Sequence, residues 1–433
     1  MSAESSKAAE RAPLPALNES FLPREHAMYR PRHSARQHTA LTAAGVFFCV
    51  PLLLWVFGVR PGEFENRKLA PFPTGWNLLT GLDEWAGDHL PLRQQAVSAV
   101  DGISRGVFGE PYQFGQQHPT GPIDDTKAPA PPKTPADRPN ASLFPKVVEG
   151  RDGWLYLGLD ALNACHPEKP LDQVLESVRA LRDAVEKSGR TFVFTVVPDK
   201  STQEPGRLPA SYLGKSCHDE VNADLWQRLG KEKGLLDLRP VLTQAGVDTK
   251  APTYQALDSH WTYGSATVAT KALAERVQPG VAKTWHTTTG TVERLAPDLP
   301  RLLGRADEVD VQTYDLAPDG MAIQGHDVAE GTFREPTRVT RFPGTGLVRG
   351  SVGLIGDSFL FNFAPFTTAP FADLRLVHSD TAGTDPQAVA AMLADRDVVV
   401  FETAERSLVG GTNSLLDKEA VDVIAAELAK RPR

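Results

Sequence analysis

At 433 residues, 41% hydrophobic and 23% charged, the chain has an ordinary globular composition, with material for one large core or two smaller ones. A formal net charge of −8, with lysine and arginine scattered rather than clustered, argues against a sequence-independent grip on nucleic acid, so no nucleic-acid partner is expected. No fixed-period repeat is present, and neither a solenoid nor a propeller is indicated.

Residues 1–38 are polar, lack apolar periodicity and read as a disordered head. Thr39 to Val59 (TALTAAGVFFCVPLLLWVFGV) carries no charge and is long enough to span a bilayer as one helix. Pro51 is tolerable there, because neighbouring groups in a membrane can re-satisfy a kinked helix. The apolar core is too long and starts too late for a cleaved signal peptide, and no small-residue cleavage site follows. An uncleaved anchor is therefore favoured over a buried core helix. Arg24, Arg30, Arg32 and Arg36 precede the span, against Arg60, Arg67 and Lys68 after it, which places the head in the cytoplasm and the body outside. Cys49 lies in the span. Cys165 and Cys217 remain for the soluble part and suit one disulfide in an oxidising compartment. Free thiols are the alternative, as is a Cys2His2 zinc site with His166 and His218, although adjacent Cys-His side chains rarely converge on one metal.

Residues 60–115 form a juxtamembrane segment ending in a short amphipathic helix around Leu92-Arg93. Residues 116–145 are rich in proline and read as a stiff, extended insert. A compact domain is expected over 146–433. Glu149 to Leu157 reads as a turn leading into an aromatic-rich strand. Leu171 to Ser188 has helical spacing, and Thr191 to Val197 is a continuous β-branched and aromatic run of the kind found in buried parallel strands. Pro198-Asp199-Lys200-Ser201 follows at that strand's carboxyl end, where α/β folds place ligands. A helix over Asp219 to Gly234, a strand over Leu235 to Leu238 and a helix over Gly264 to Val277 come next. Strands at Phe371 to Val377 and Val398 to Phe401 flank a helix, and a helix over Lys418 to Lys430 closes the chain. This alternation specifies an α/β fold with a mainly parallel sheet.

The run Val352 to Ile355 ends in Gly356-Asp357-Ser358-Phe359, as a buried strand does when it delivers a serine to the open end of a sheet. Ser358 is the candidate nucleophile, and it needs a base with an orienting acid. Leu257-Asp258-Ser259-His260-Trp261, just before a helix, supplies both. Residues i and i+2 of an extended segment share a side, so Asp258 can hold one imidazole nitrogen of His260 while the other faces Ser358. The plainer readings are that His260 caps the following helix, and that Asp357 or Ser358 is an N-cap.

Taken in order, the motifs resemble the SGNH-hydrolase-like polysaccharide O-acetyltransferases, the group containing the alginate O-acetylation proteins AlgJ and AlgX. They are Glu65-Asn66-Arg67 with Leu69-Ala70-Pro71, Asp88 to Arg93, and Gly150-Arg151-Asp152-Gly153-Trp154-Leu155-Tyr156. Val197-Pro198-Asp199-Lys200, Asp258-Ser259-His260-Trp261, Gly356-Asp357-Ser358-Phe359 and Glu405-Arg406 complete the set. The resemblance implies a three-layer SGNH-like sandwich and a triad of Ser358, His260 and Asp258, with no cofactor or metal expected. It also implies acetyl transfer to an extracellular polysaccharide, with a membrane-bound O-acyltransferase as the acetyl-donating partner. An acetylesterase with the same triad, or an inactive polysaccharide-binding assembly protein, are the alternatives. The backbone N–H of Ser358 is the natural oxyanion donor. Lys200 and Arg406 are candidates for a second donor, against the alternative of ordinary ion pairs. Serine between Asp258 and His260 departs from the group's commoner threonine or histidine, and the insert at 116–145 has no counterpart there.

Overall fold

The structure is a computed structural model that describes residues 35–60, 69–75, 78–108, 138–324 and 332–433. Most of the polar head, the Glu65-Asn66-Arg67 motif and most of the proline-rich insert lie outside the described residues. Two compact units are present, the first ending at Ala96 and the second running from Val97 to Arg433.

The first unit contains helix α1 (Ala35–Val56). Its stretch His38–Val56 has a mean hydropathy of 2.1, with none of that window buried, and is long and apolar enough to cross a membrane by length and composition. The helix stops short of the expected Val59 because Gly58 turns into the left-handed region at φ +89, where Val59 N–H closes the end on the Leu54 carbonyl at 2.9 Å. Around Leu92 the expected single short helix is two, α2 (Leu78–Asp88) and α3 (Arg93–Phe108). Pro91 cannot continue the first, and Leu92 at φ 64 breaks the path. Asp88 is buried and accepts the Ala70 N–H at 2.9 Å, joining two of the sequence motifs.

Most of α3 belongs to the second unit, which continues with a hairpin, β1 (Val147–Glu149) and β2 (Leu155–Leu157). Helices α4 (Gly158–Cys165) and α5 (Leu171–Lys187) follow, then β3 (Thr191–Val197), α6 (Lys200–Gln203) and α7 (Lys215–Leu229). Next come β4 (Leu235–Asp237), α8 (Arg239–Thr249), α9 (Tyr263–Val277), β5 (His286–Leu295), α10 (Asp298–Leu302) and β6 (Val309–Ala317). The chain then forms β7 (Thr337–Thr340), β8 (Val348–Gly356), α11 (Leu360–Thr367) and β9 (Phe371–His378). It finishes with α12 (Asp380–Thr384), α13 (Pro386–Ala394), β10 (Val398–Ala404), α14 (Glu405–Gly410) and α15 (Lys418–Lys430).

Six strands form one sheet in the order β4-β3-β10-β8-β9-β7, parallel except for the edge strand β7. Successive side chains on a strand point to opposite faces, and that alternation divides the interior into two cores. Phe192, Phe194, Val196, Ile355, Val377, Val399 and Phe401 meet α5, α7, α13, α14 and α15 on one face. Val193, Val197, Val352, Leu354, Leu374, Leu376, Val398 and Val400 meet α8, α9 and α11 on the other. Both faces are covered, which is why these strands read as unbroken apolar runs.

Two features of the second unit depart from the sequence reading. Helix α7 starts at Lys215, where Gly214 at φ 83 redirects the chain, and not at Asp219. It ends at Leu229, ahead of the expected Gly234. A second, two-stranded sheet, the antiparallel pair β5 and β6, was not anticipated, because its threonine-rich strand β5 is exposed along nearly its whole length and carries no apolar alternation.

Candidate active site

Strand β8 lies between β10 and β9, so its carboxyl end opens at the centre of the sheet. The turn that follows is fixed from below. Asp357 N–H donates to Glu402 Oε2 at 3.1 Å, and a Cβ at Gly356 would collide with that same carboxyl group, so only glycine fits there. The Asp357 carboxylate accepts the Phe359 N–H at 3.1 Å through Oδ1, and the Ala404 N–H at 2.6 Å and the Ser407 hydroxyl at 3.2 Å through Oδ2. Asp357 thus ties the turn to the start of α14, and Ser358 itself is half-buried. Among the described residues the Ser358 N–H has no acceptor.

The acid and base sit on a tight loop closed by a bridge between Tyr254 and Trp261, both fully buried. Asp258 and His260 occupy a bend and not the extended segment expected. The bend brings them closer: Asp258 Oδ1 accepts both the backbone N–H of His260 at 2.9 Å and a bond from its Nδ1 at 2.8 Å. His260 Nε2 lies 3.1 Å from Ser358 Oγ, across 98 residues of chain. Phe359 joins the two halves, with its ring 4.9 Å from His260 and 5.3 Å from Trp261. The N-cap of α9 is Thr262, whose side chain accepts the Ser265 N–H, so His260 is not the helix cap. Burial works against charge on both groups, yet the hydrogen bonds and charge from His260 hold Asp258 down at about 2. Burial likewise lowers His260, but the bond to Asp258 and the charges of Asp258 and Asp298 outweigh it and raise the imidazole.

Lys200 does not face this opening. Its ammonium is buried and donates to the carbonyls of Leu155 at 2.7 Å, Gln255 at 2.5 Å, Ala256 at 2.9 Å and Asp258 at 3.1 Å. An ammonium has three hydrogens, so none is left for an oxyanion. Burial pushes it down to about 7, against the pull of Asp258, Asp298, Asp160 and Glu204. Arg406 is likewise engaged, in a buried pair with Asp199 at 2.8 Å and over the Phe359 ring at 5.0 Å. Burial opposes its charge, but Asp199, Asp160 and Asp357 raise it. Lys200 is therefore a structural partner of the loops around the site, whereas Arg406 has one N–H committed to Asp199 and its guanidinium beside Phe359.

The residue missed from sequence is Asp298, the first of α10. Its N–H donates to Asp258 Oδ2 at 3.1 Å, and its Oδ2 lies 3.7 Å from His260 Nδ1. Asp258, His260 and Asp298 bring their potential ligand atoms within 4.8 Å of one another. Asp258 Oδ1 and His260 Nδ1 bond each other directly, however, which a cation between them would prevent. Cys165 and Cys217 form a disulfide linking α4 to α7, with Cα atoms 5.5 Å apart. The zinc alternative falls, because the sulfurs bond each other and the imidazoles have separate partners: His166 at the Pro139 carbonyl, and His218 at Tyr212, Ser201 and Asn222.

The family model for the SGNH hydrolase-like domain of the acetyltransferase AlgX matches residues 147–395, more than half of the chain. A probable alginate O-acetylase AlgJ of Pseudomonas putida is 30% identical over 138 residues. That match covers 31% of this chain and 34% of the relative's length. The protein of the same description from Pseudomonas syringae pv. tomato is 26% identical over 136 residues, with the same shares of 31% and 34%. Among solved structures, the O-acetyltransferase domain of Pseudomonas putida AlgJ aligns over 65% of this chain and 98% of its own, at 20% identity and a TM-score of 0.43. Pseudomonas aeruginosa AlgX aligns over 62% of this chain and 66% of its own, at 14% identity and a TM-score of 0.40.

Proposed function

The chain belongs to the SGNH hydrolase-like family of the acetyltransferase AlgX, and on that premise we propose that it is an O-acetyltransferase acting on a polysaccharide outside the membrane. One observation carries the chemistry: a serine, an imidazole and a carboxylate in a single hydrogen-bonded line, at 3.1 Å and 2.8 Å. In the first half-reaction Ser358 Oγ attacks the acetyl carbonyl of a donor while His260 Nε2 takes the hydroxyl proton. The tetrahedral intermediate collapses, and the donor's leaving group departs with that proton. In the second, a sugar hydroxyl attacks the Ser358 acetyl ester and gives its proton to His260. Ser358 Oγ then leaves and recovers the proton. Asp258 keeps Nδ1 protonated and the ring aimed. The unpartnered Ser358 N–H is one donor to the oxyanion.

Helix α1 serves as the anchor, and the disulfide supports an oxidising, extracytoplasmic setting for the second unit. The acetyl donor in this reading is a membrane-bound acyltransferase that passes acetyl groups across the bilayer. The alginate O-acetylase names of the relatives support a polysaccharide acceptor.

The test uses the full-length chain and Ser358→Ala with 4-nitrophenyl acetate, with and without a panel of oligosaccharides. The wild type should release 4-nitrophenol and acetylate at least one sugar, and Ser358→Ala should lose about a thousandfold or more of the rate. An unimpaired Ser358→Ala removes the nucleophile assignment. Acetate released at one rate with no sugar acetylated assigns a hydrolytic esterase. Polysaccharide binding without turnover assigns an assembly protein.

A further inference from the structure

The Asp258–His260 bend is held by a carboxylate that belongs to neither of those residues. Asp298 Oδ1 accepts the backbone N–H of Ser259 at 2.8 Å, and Oδ2 accepts the Ser259 hydroxyl at 2.5 Å. Its own N–H reaches Asp258 Oδ2 at 3.1 Å. These three bonds join Asp298 to the acid of the proposed triad and to the residue between acid and base. The position of Asp298 is fixed in turn by packing, since Leu299 and Leu303 are buried with Val147 and Leu155 of the first hairpin. With Oδ2 at 3.7 Å from His260 Nδ1, the carboxylate is also a second negative charge beside the imidazole.

We propose that Asp298 is a positioning residue for His260, one that braces the bend through Ser259 and adds charge where the imidazolium forms. The inference rests on the reading of Ser358, His260 and Asp258 as a working triad. Each half-reaction passes through a state in which His260 holds an extra proton and is positive. Burial and the Asp258 charge raise the Asp298 carboxyl, against His260 and the Ser259 bonds, and in its ionised form an anion at this distance favours that state over the neutral ring. The charges acting on His260 are those of Asp258 and Asp298, which raise it, and of Arg406, which lowers it, with the two carboxylates prevailing; the Lys200 ammonium sits behind the loop on the Asp258 carbonyl and acts on both carboxylates. Asp258 alone could orient the ring. Asp298 adds to the basicity of the ring, and so controls the pH at which the site switches on.

The experiment is the pH profile of kcat/KM for 4-nitrophenyl acetate with the full-length wild type, Asp298→Asn, Ser259→Ala and Ser358→Ala, each checked for its melting temperature. Activity requires neutral His260, so the acidic limb reports its pKa. Asp298→Asn removes the charge and keeps the size. It should move the limb to lower pH by roughly half to one unit and lower the plateau about tenfold. Ser259→Ala cuts one of the ties and keeps the charge, so the plateau should fall with the limb in place. An acidic limb that does not move in folded Asp298→Asn overturns the proposal, as does a change confined to melting temperature. If Asp298→Asn fails to fold, Asp298→Glu keeps the charge and displaces it, and an unchanged plateau in that variant overturns the proposal. The two readings separate cleanly. Activity surviving in Ser358→Ala removes the triad itself, whereas an inactive Ser358→Ala beside a wild-type-like Asp298→Asn removes Asp298 alone.

Discussion

Replacing Lys200 by methionine keeps the length of the side chain and removes the N–H donors that hold the carbonyls of Leu155, Gln255, Ala256 and Asp258. Those carbonyls would lose the ammonium, with that of Ala256 still accepting the Leu155 N–H at 2.9 Å, at a cost of about 3 kcal/mol or more. Lys200→Met should therefore lower the melting temperature and the rate together. A stable but inactive variant would mean that Lys200 acts on substrate after all. Glu402 makes a different prediction. Fully buried, with Oε1 unpartnered among the described residues, it is pushed well above the ordinary carboxyl range by burial and by Asp357. The folded state holds this proton at pH values where the unfolded chain has lost it. The stabilisation is complete below the unfolded pKa of about 4.3 and is lost as pH rises through the folded one. Glu402→Gln should therefore gain melting temperature relative to wild type as pH goes from 5 to 8; a constant difference would rule out a buried, protonated Glu402. At this scale Ser358, His260 and Asp258 were legible because each stands in a short string with local meaning. Asp298 was not, because it meets Asp258 across 40 residues and heads a five-residue helix with no periodic signal. The direction in which Lys200 points is likewise a property of packing and not of its place after a strand.

At the scale of elements, the disulfide fastens α4 to α7 across a separation of 52 residues. Chain-entropy reasoning assigns such a closure about 4 kcal/mol. Cys165→Ser with Cys217→Ser should lower stability toward denaturant by about that amount, while kcat of the surviving folded protein stays near wild type. An unchanged denaturation midpoint would mean that the bond restrains nothing the fold does not already restrain. The elements best read from sequence are those with a strong internal signal. Strand β3 runs over the expected Thr191–Val197, a β-branched and aromatic run buried from Phe192 onward, and α15 over the expected Lys418–Lys430. The failures share a cause as well. Strand β5 is threonine-rich and exposed along nearly its whole length, so the β5–β6 pair lacks an apolar signal on that strand, and the bounds of α7 depend on how a glycine turns the backbone.

For the whole molecule, the anchor and the placement of the second unit can be tested together. The full chain should stay with membranes through an alkaline carbonate wash, and protease added outside sealed cells should digest residues 138–433. Recovery in the wash would remove the anchor, and an intact chain after protease would remove the external placement. The strand order carries a further consequence, one that concerns how the protein is made. Strand β10, which follows the other five strands of the sheet along the chain, lies between β3 and β8 and pairs with both. Until it arrives, β3 with β4 and β8 with β9 are separate fragments with an empty slot between them. The six-stranded sheet therefore cannot close until residues 398–404 have been made and folded in. The strand that leads to Ser358 gains its second neighbour only when β10 pairs with it.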